Sequence, residues 1–281
     1  MRPRRSVLYM PGANERALEK AKALPADALI LDLEDAVAPD AKVDARDRVC
    51  AAAASGDYGA REVTIRVNGI GTPWHADDLA AAGKAGPAAV VVPKVNSADE
   101  VRAIAAALPE PVEIWAMIET PVAVLRCAEI AAASERLTAL VLGTNDLAKE
   151  MVAEQVPGRG PLLGPLSMCV LAARATGKVI LDGVYNDVRD AAGFERECRQ
   201  GREFGFDGKT LIHPGQLEPC NRVFSPSAED VERSRKIIDA FEAAQREGRG
   251  VVTVDGRMIE NLHVDNAKRV LALASAIKGE A

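Results

Sequence analysis

The sequence predicts an α/β chain folded as a TIM (β/α)8 barrel with a C-terminal helix–hairpin–helix extension. Three observations predict it. Short apolar runs recur along the chain, each followed by polar residues and an Ala-rich helical stretch. The runs are nearly continuous rather than alternating, which suits parallel strands covered on both faces. Eight of them occur by residue 213, the number that closes such a barrel. A doubly wound open sheet is the alternative arrangement of the same units.

The strand candidates in chain order are 6–10 (SVLYM), 28–34 (ALILDLE), 62–67 (EVTIRV), 88–94 (AAVVVPK), 113–119 (EIWAMIE), 139–144 (ALVLGT), 178–184 (KVILDGV) and 209–213 (KTLIH). Helical stretches separate them. Asn14 caps NERALEKAKAL after Pro11-Gly12. Ser97 with Glu100 three residues on is a capping-box pattern. After residue 213 the character changes. SAEDVERSRKIIDAFEAAQ reads as a solvated amphipathic helix ending near Gly248 and Gly250. VVTVDGRMIE reads as a hairpin turning at Asp255-Gly256, and NLHVDNAKRVLALASAIK as a last helix. We therefore expect a barrel over 1–220 and an extension over 221–281.

Composition narrows the function. A net charge of −6 and a pI near 5.3 disfavour a nucleic-acid surface, which needs a basic face. No stretch of about 20 apolar residues predicts a membrane span. The basic start MRPRRS precedes only VLYM, too short for a signal-peptide core. Five cysteines lie far apart without a C-x-x-C spacing, so they read as unpaired thiols and a reducing cytoplasm fits.

In such a barrel the site lies at the C-terminal strand ends. Those ends carry Asn14, Asp32, Glu34, Asp35, Arg66, Asn68, Lys94, Glu119, Asn145, Asp146, Asp182, Asn186 and His213. Carboxylates crowded at one pole repel one another, and a divalent cation relieves that. Oxygen-only donors select Mg2+, which uses one or two carboxylates and keeps other positions for water and substrate. Glu119 and Asp146, on adjacent strands, are the expected ligands, and Mn2+ is the other ion the donor set admits. Gly143, Thr144 and Asn145 are expected to line the substrate. Arg66 reads as a bidentate clamp for a substrate carboxylate, or as a structural ion pair. Glu34 and Asp35 either orient metal-bound water or pair with Lys42 or Arg46. Lys94 as a Schiff-base lysine is disfavoured, because an acidic rim raises its pKa. His213 is expected to be neutral, buried and bonded to backbone.

RSVLYMPGANERALEKA, LILDLEDAVAPDAKVDAR, IRVNGIGTPW, VVPKV, MIETP, GTNDLAKE, GFDGKTLIHPGQ and DGRMIENLHVDNAKR occur in this order. Together they resemble the citrate lyase β-subunit-like family, within the malyl-CoA lyase and HpcH/HpaI aldolase grouping. The resemblance implies a Mg2+-dependent TIM barrel acting on acyl-CoA thioesters. It implies Glu119 and Asp146 as metal ligands and Arg66 as the arginine that holds a keto-acid carboxylate. It also implies a homotrimer or a dimer of trimers, in which a tail acid reaches the site of a neighbouring subunit. The family usually carries aspartate there, in MID; this chain has Glu260, in MIE. The extra methylene moves the carboxylate by about 1.5 Å, and misplacements of that size can cost a factor of about 100. Asp265, one turn later, competes for the role.

The implied reaction is C–C cleavage or Claisen condensation of a 3-hydroxy-3-carboxy acyl-CoA such as malyl-CoA, giving an α-keto acid and acyl-CoA. Glu260 would then move the proton at the enolate carbon. The alternative is a (3S)-malyl-CoA thioesterase releasing malate and CoA, to which the Glu-for-Asp change leaves the way open. A citrate lyase β subunit active only in a complex, and an aldolase acting on free acids, complete the set. Arg16, Lys20, Lys42 and Arg46 are the candidate partners of the CoA phosphates.

Overall fold

Each predicted run becomes a strand. The computed structural model describes residues 2–246, 248 and 251–279. In it β1 (Ser6–Pro11), β2 (Ala28–Asp32), β3 (Glu62–Arg66), β4 (Ala89–Val92), β5 (Glu113–Ile118), β6 (Leu137–Leu142), β7 (Val179–Asp182) and β8 (Gly208–Leu211) pair in parallel in that order. Ser6–Leu8 pair with Lys209–Leu211, so β8 returns to β1 and the barrel closes. An open doubly wound sheet would leave two edges, so that arrangement is excluded.

The helices start where the sequence signals them. The Asn14 side chain accepts from the Ala17 N–H at 3.0 Å and opens the helix Glu15–Ala21. Ser97 and Glu100 form the reciprocal capping box of the helix Ala98–Ala107, at 3.2 and 3.1 Å. Each cap satisfies amide groups that a helix start leaves without partners.

Strand parity then decides which side chains meet. Val7, Ala28, Ile30, Ala89, Val91, Trp115, Met117, Ala139, Val141 and Leu181 form one buried cluster. Its members alternate along each strand, so this parity fills the barrel interior. Three alanines in the set leave room for the fully buried Trp115. Continued two residues further, the same rows reach Asp32, Arg66, Glu119 and Gly143. The interior therefore ends in charged and small residues at the C-terminal mouth.

The chain divides into two compact units, Arg4–Asn221 and Arg222–Ala281 with Met1–Pro3. The second contains the helix Ala228–Arg246, the antiparallel strands β9 (Val252–Val254) and β10 (Arg257–Ile259), and the helix Asn261–Lys278. Asp255 and Gly256 both have positive φ, 48° and 73°, as a two-residue hairpin turn demands. Ile237, Phe241, Ile259, Val264 and Ala267 make this unit's own core. Gly248 has φ 73°. Gly250, paired with it above, and Met1 of the basic start lie outside the described residues. Among the described residues, no helix is long and apolar enough to cross a membrane. All five cysteines are free.

Candidate active site

Arg66 sits at the end of β3, in register with Asp32 at the end of β2. It donates from Nε and Nη2 to the two oxygens of Asp32, at 2.6 and 2.7 Å. Asp32 is itself pinned: its oxygens accept from the Glu34 and Ala36 amides at 2.9 and 3.1 Å. The Tyr9 ring lies against the guanidinium, with Cζ 4.8 Å from its centroid. Glu34 approaches Nη1 at 2.8 Å and Asp35 at 3.5 Å. Burial alone would lower the Arg66 pKa, but Asp32, Tyr9 and Glu34 hold it well above its ordinary value. The guanidinium is thus a permanent cation, fixed in plane and edge.

Across the mouth, Glu119 follows β5 and is 2% exposed. Its Oε1 accepts from the Lys94 N–H at 2.8 Å. Its carboxylate rests on Gly143, where an added Cβ would overlap both Oε2 and Cβ of Glu119. Burial, reinforced by the nearby charges of Glu34 and Asp146, pushes the Glu119 carboxyl up to about 8. Glu34 is pushed up to about 7, again by burial first; Arg66 pulls down and Asp35 pushes up. Asp146, on the helix Thr144–Glu150, is more open and faces the Lys94 ammonium at 3.4 Å. Lys94 has φ 51°.

These contacts settle several alternatives among the sequence-predicted residues. Arg66, Glu34 and Asp35 form one cluster, and Glu119, Gly143 and Asp146 form its other side. Glu34 and Asp35 turn their carboxylates to Arg66 and not to Lys42 or Arg46. Lys42 is buried and donates to the carbonyls of Leu33 and Glu34, both at 2.7 Å. Arg46 donates to the buried Asp78 at 2.6 Å. Both are spent on internal partners, which speaks against a role as phosphate clamps. Arg16 and Lys20 are exposed on the helix Glu15–Ala21.

Thr144 and Asn145 border a cavity of about 850 Å3 together with Gln155, Arg159, Tyr185 and Asn186. Asn145 is bound there by Asn186, through bonds of 2.7 and 3.1 Å. Neither Arg66 nor Glu119 lines that cavity. Asp182, counted above with the acidic rim, has the other strand parity. It turns outward to Arg159 at 2.7 Å and to the fully buried Lys209 at 3.1 Å. His213 does bond backbone, accepting from the Gly215 N–H at 3.0 Å, but it is exposed rather than buried. Glu260 and Asp265 lie in the second unit, both exposed, around the start of its last helix.

Sequence reasoning missed Asp32 as the holder of Arg66, Tyr9 as its floor and Lys94 as a bridge between Glu119 and Asp146. Opposite charges ending two consecutive strands were the signal for the first. The other two had none, because they depend on neighbours distant in the chain.

The donor set suits a divalent cation. Among the described residues, no group of three or more His, Cys, Asp or Glu is placed to hold a metal. Mg2+ does not need one, since two carboxylates suffice when water and substrate fill the remaining positions. Glu119 and Asp146 supply oxygen donors only, and a lysine ammonium already stands beside Asp146.

The chain also matches known proteins. A family described as HpcH/HpaI aldolase/citrate lyase matches residues 5–214, and one described as C–C bond lyase of the TIM-barrel fold matches 165–277. The chain is 52% identical over 275 residues to a (3S)-malyl-CoA thioesterase of Cereibacter sphaeroides, covering 98% of this chain and 96% of that one. It is 36% identical over 283 residues to the citrate lyase subunit beta of Escherichia coli, covering 97% and 94%. CitE of Mycobacterium tuberculosis, solved in complex with magnesium, acetoacetate and coenzyme A, superposes with a TM-score of 0.79 at 30% identity, covering 96% and 97%. A citrate lyase from Burkholderia xenovorans, at 22% identity and a TM-score of 0.84, shares the fold.

Proposed function

The chain belongs to the HpcH/HpaI aldolase/citrate lyase family, and from that premise we propose that it hydrolyses (3S)-malyl-CoA or a close 3-carboxylated acyl-CoA. The chain is an enzyme of the carbon–carbon lyase or acyl-CoA thioester hydrolase kind. Between the two, hydrolysis is the better supported. The observation that carries it is the 52% identity to a (3S)-malyl-CoA thioesterase over 98% of this chain.

The chemistry follows from the residues. Glu119 and Asp146 would hold Mg2+, or Mn2+ as a second ion of the same oxygen preference. When bound, the ion supplies Lewis-acid polarisation of substrate oxygens. Arg66 would grip the substrate carboxylate through the edge that Asp32 leaves open, with Glu34 giving way. Once released from Arg66, Glu34 would accept a proton from an attacking water; burial already pushes its carboxyl up to about 7. Water adds to the thioester carbonyl, the C–S bond breaks, and CoA leaves as the thiol with a proton; malate remains. Gly143, against Glu119, would flank the acyl group, Thr144 and Asn145 would face the neighbouring cavity, and Arg16 and Lys20 would meet the CoA phosphates. The unit over 221–281 would pack on a neighbouring copy in a homotrimer or dimer of trimers and present Glu260, or Asp265, to that copy's site. A cytoplasmic setting suits CoA substrates and free thiols.

The test is to incubate the purified chain with malyl-CoA and Mg2+ and identify products by mass spectrometry. Malate plus CoA is expected. Glyoxylate plus acetyl-CoA would show a lyase instead, and no turnover by the chain alone would favour the citrate lyase β reading. Glu260→Gln should suppress turnover while sparing Mg2+ affinity; full activity would remove Glu260 from the site.

A further inference from the structure

Lys94 touches both residues that we assign to the metal, and by two different parts of itself. Its backbone N–H donates to Glu119 Oε1 at 2.8 Å. Its side chain curls back so that Nζ stands 3.4 Å from Asp146 Oδ1. The backbone there has φ 51°, a conformation that costs a β-carbon-bearing residue about 1 kcal/mol or more. The carbonyl of the same residue accepts from Asn96 Nδ2 at 2.9 Å, which helps to hold the turn. Burial would lower the ammonium's pKa, yet Asp146, Glu119 and Glu34 outweigh it and raise it. The side chain is 43% exposed, so it has solvent to move into.

We propose that Lys94 is a tethered counter-cation, which balances Glu119 and Asp146 before the metal arrives and withdraws from Asp146 when it binds. The physical reason is electrostatic. Carboxylates brought to one point without a cation repel one another and splay or protonate. A divalent ion at the same place repels an ammonium within a few ångströms. Lys94 therefore favours an ordered metal-free site and opposes metal binding, which weakens affinity and eases exchange. The backbone contact to Glu119 does not depend on the side chain and stays in both states.

The inference rests on the metal site proposed above, and the test separates the two. Mg2+ alone is titrated calorimetrically into the full chain, without substrate, at pH 8.5. The proteins are wild type, Lys94→Met, Lys94→Gln, Lys94→Arg, Glu119→Gln and Asp146→Asn. Thermal melts in EDTA accompany the titrations. The two neutral Lys94 variants should bind Mg2+ about fivefold more tightly, the scale of a partly exposed ion pair, and melt lower than wild type without metal. Lys94→Arg, which keeps the charge, should stay near wild type in both. Unchanged or weaker binding by the neutral variants, or an equal shift in Lys94→Arg, overturns the inference. If wild type takes up no Mg2+, or the Glu119 and Asp146 variants bind as wild type does, the metal site itself is wrong.

Discussion

Arg66 donates to both oxygens of Asp32, from Nε at 2.6 Å and from Nη2 at 2.7 Å. The pair is nearly closed to solvent, with side-chain exposures of 9% and 1%. The arrangement locks one edge of the guanidinium, and the proposed clamp uses the other. Asp32 and the Tyr9 ring fix the guanidinium, and Nη1 stays on the side of Glu34 and the cluster's mouth.

Asp32→Asn should therefore uncouple binding from chemistry. The neutral amide keeps the volume but gives up the charge and one acceptor. The KM for a carboxylated acyl-CoA should rise about tenfold or more, while kcat changes less, since the lost interaction acts on binding. Breaking a buried ion pair should also cost about 3 kcal/mol in urea unfolding. An unaltered KM would show that Asp32 does not hold the clamp.

Gly143→Ala tests the seat of Glu119. A methyl group there collides with Glu119 at its Cβ as well as at its carboxylate, so the whole side chain must shift. Gly143 has a negative φ, −98°, so the left-handed region that favours glycine is not at issue. Mg2+ affinity should fall about tenfold or more, read by calorimetry, with circular dichroism checking that the variant is folded. Retained affinity would mean that the Glu119 position is immaterial to the ion.

The cluster beside β7 sets an acid dependence. Burial would raise the Asp182 pKa, but Lys209 and Arg159 hold it below the ordinary value. A depressed carboxylate stabilises the fold above the unfolded pKa of about 3.9, and that stability is lost as pH falls through the folded value. Lys209→Met removes one of its two cations. It should cost about 3 kcal/mol at pH 7, and the deficit should narrow below pH about 4. Urea titrations at pH 7 and pH 3 read both; a deficit independent of pH would exclude Asp182 as its source.

Much of this was legible in the residues. The eight strands, the Asn14 and Ser97 caps and the Asp255-Gly256 turn are local signals, and each acts over a few residues. The strand ends also marked Arg66, Glu119 and Asp146 as candidates. What they could not mark was the side each acid faces. Asp182 and Glu119 look alike in one dimension, yet β7 turns the first outward to Lys209 and the second points into the mouth. Lys42 and Arg46 likewise look like surface cations until the fold supplies Leu33, Glu34 and Asp78 as their partners.

By itself the sequence determined the barrel, its closing number of strands, the helices that follow it and the family, because periodicity, caps and ordered motifs are written along the chain. The tertiary structure alone decided that Asp32 locks Arg66, that Gly143 seats Glu119 and that Lys94 spans Glu119 and Asp146. Those pairings join residues 24 to 52 positions apart, and only strand register and parity bring them within a few ångströms.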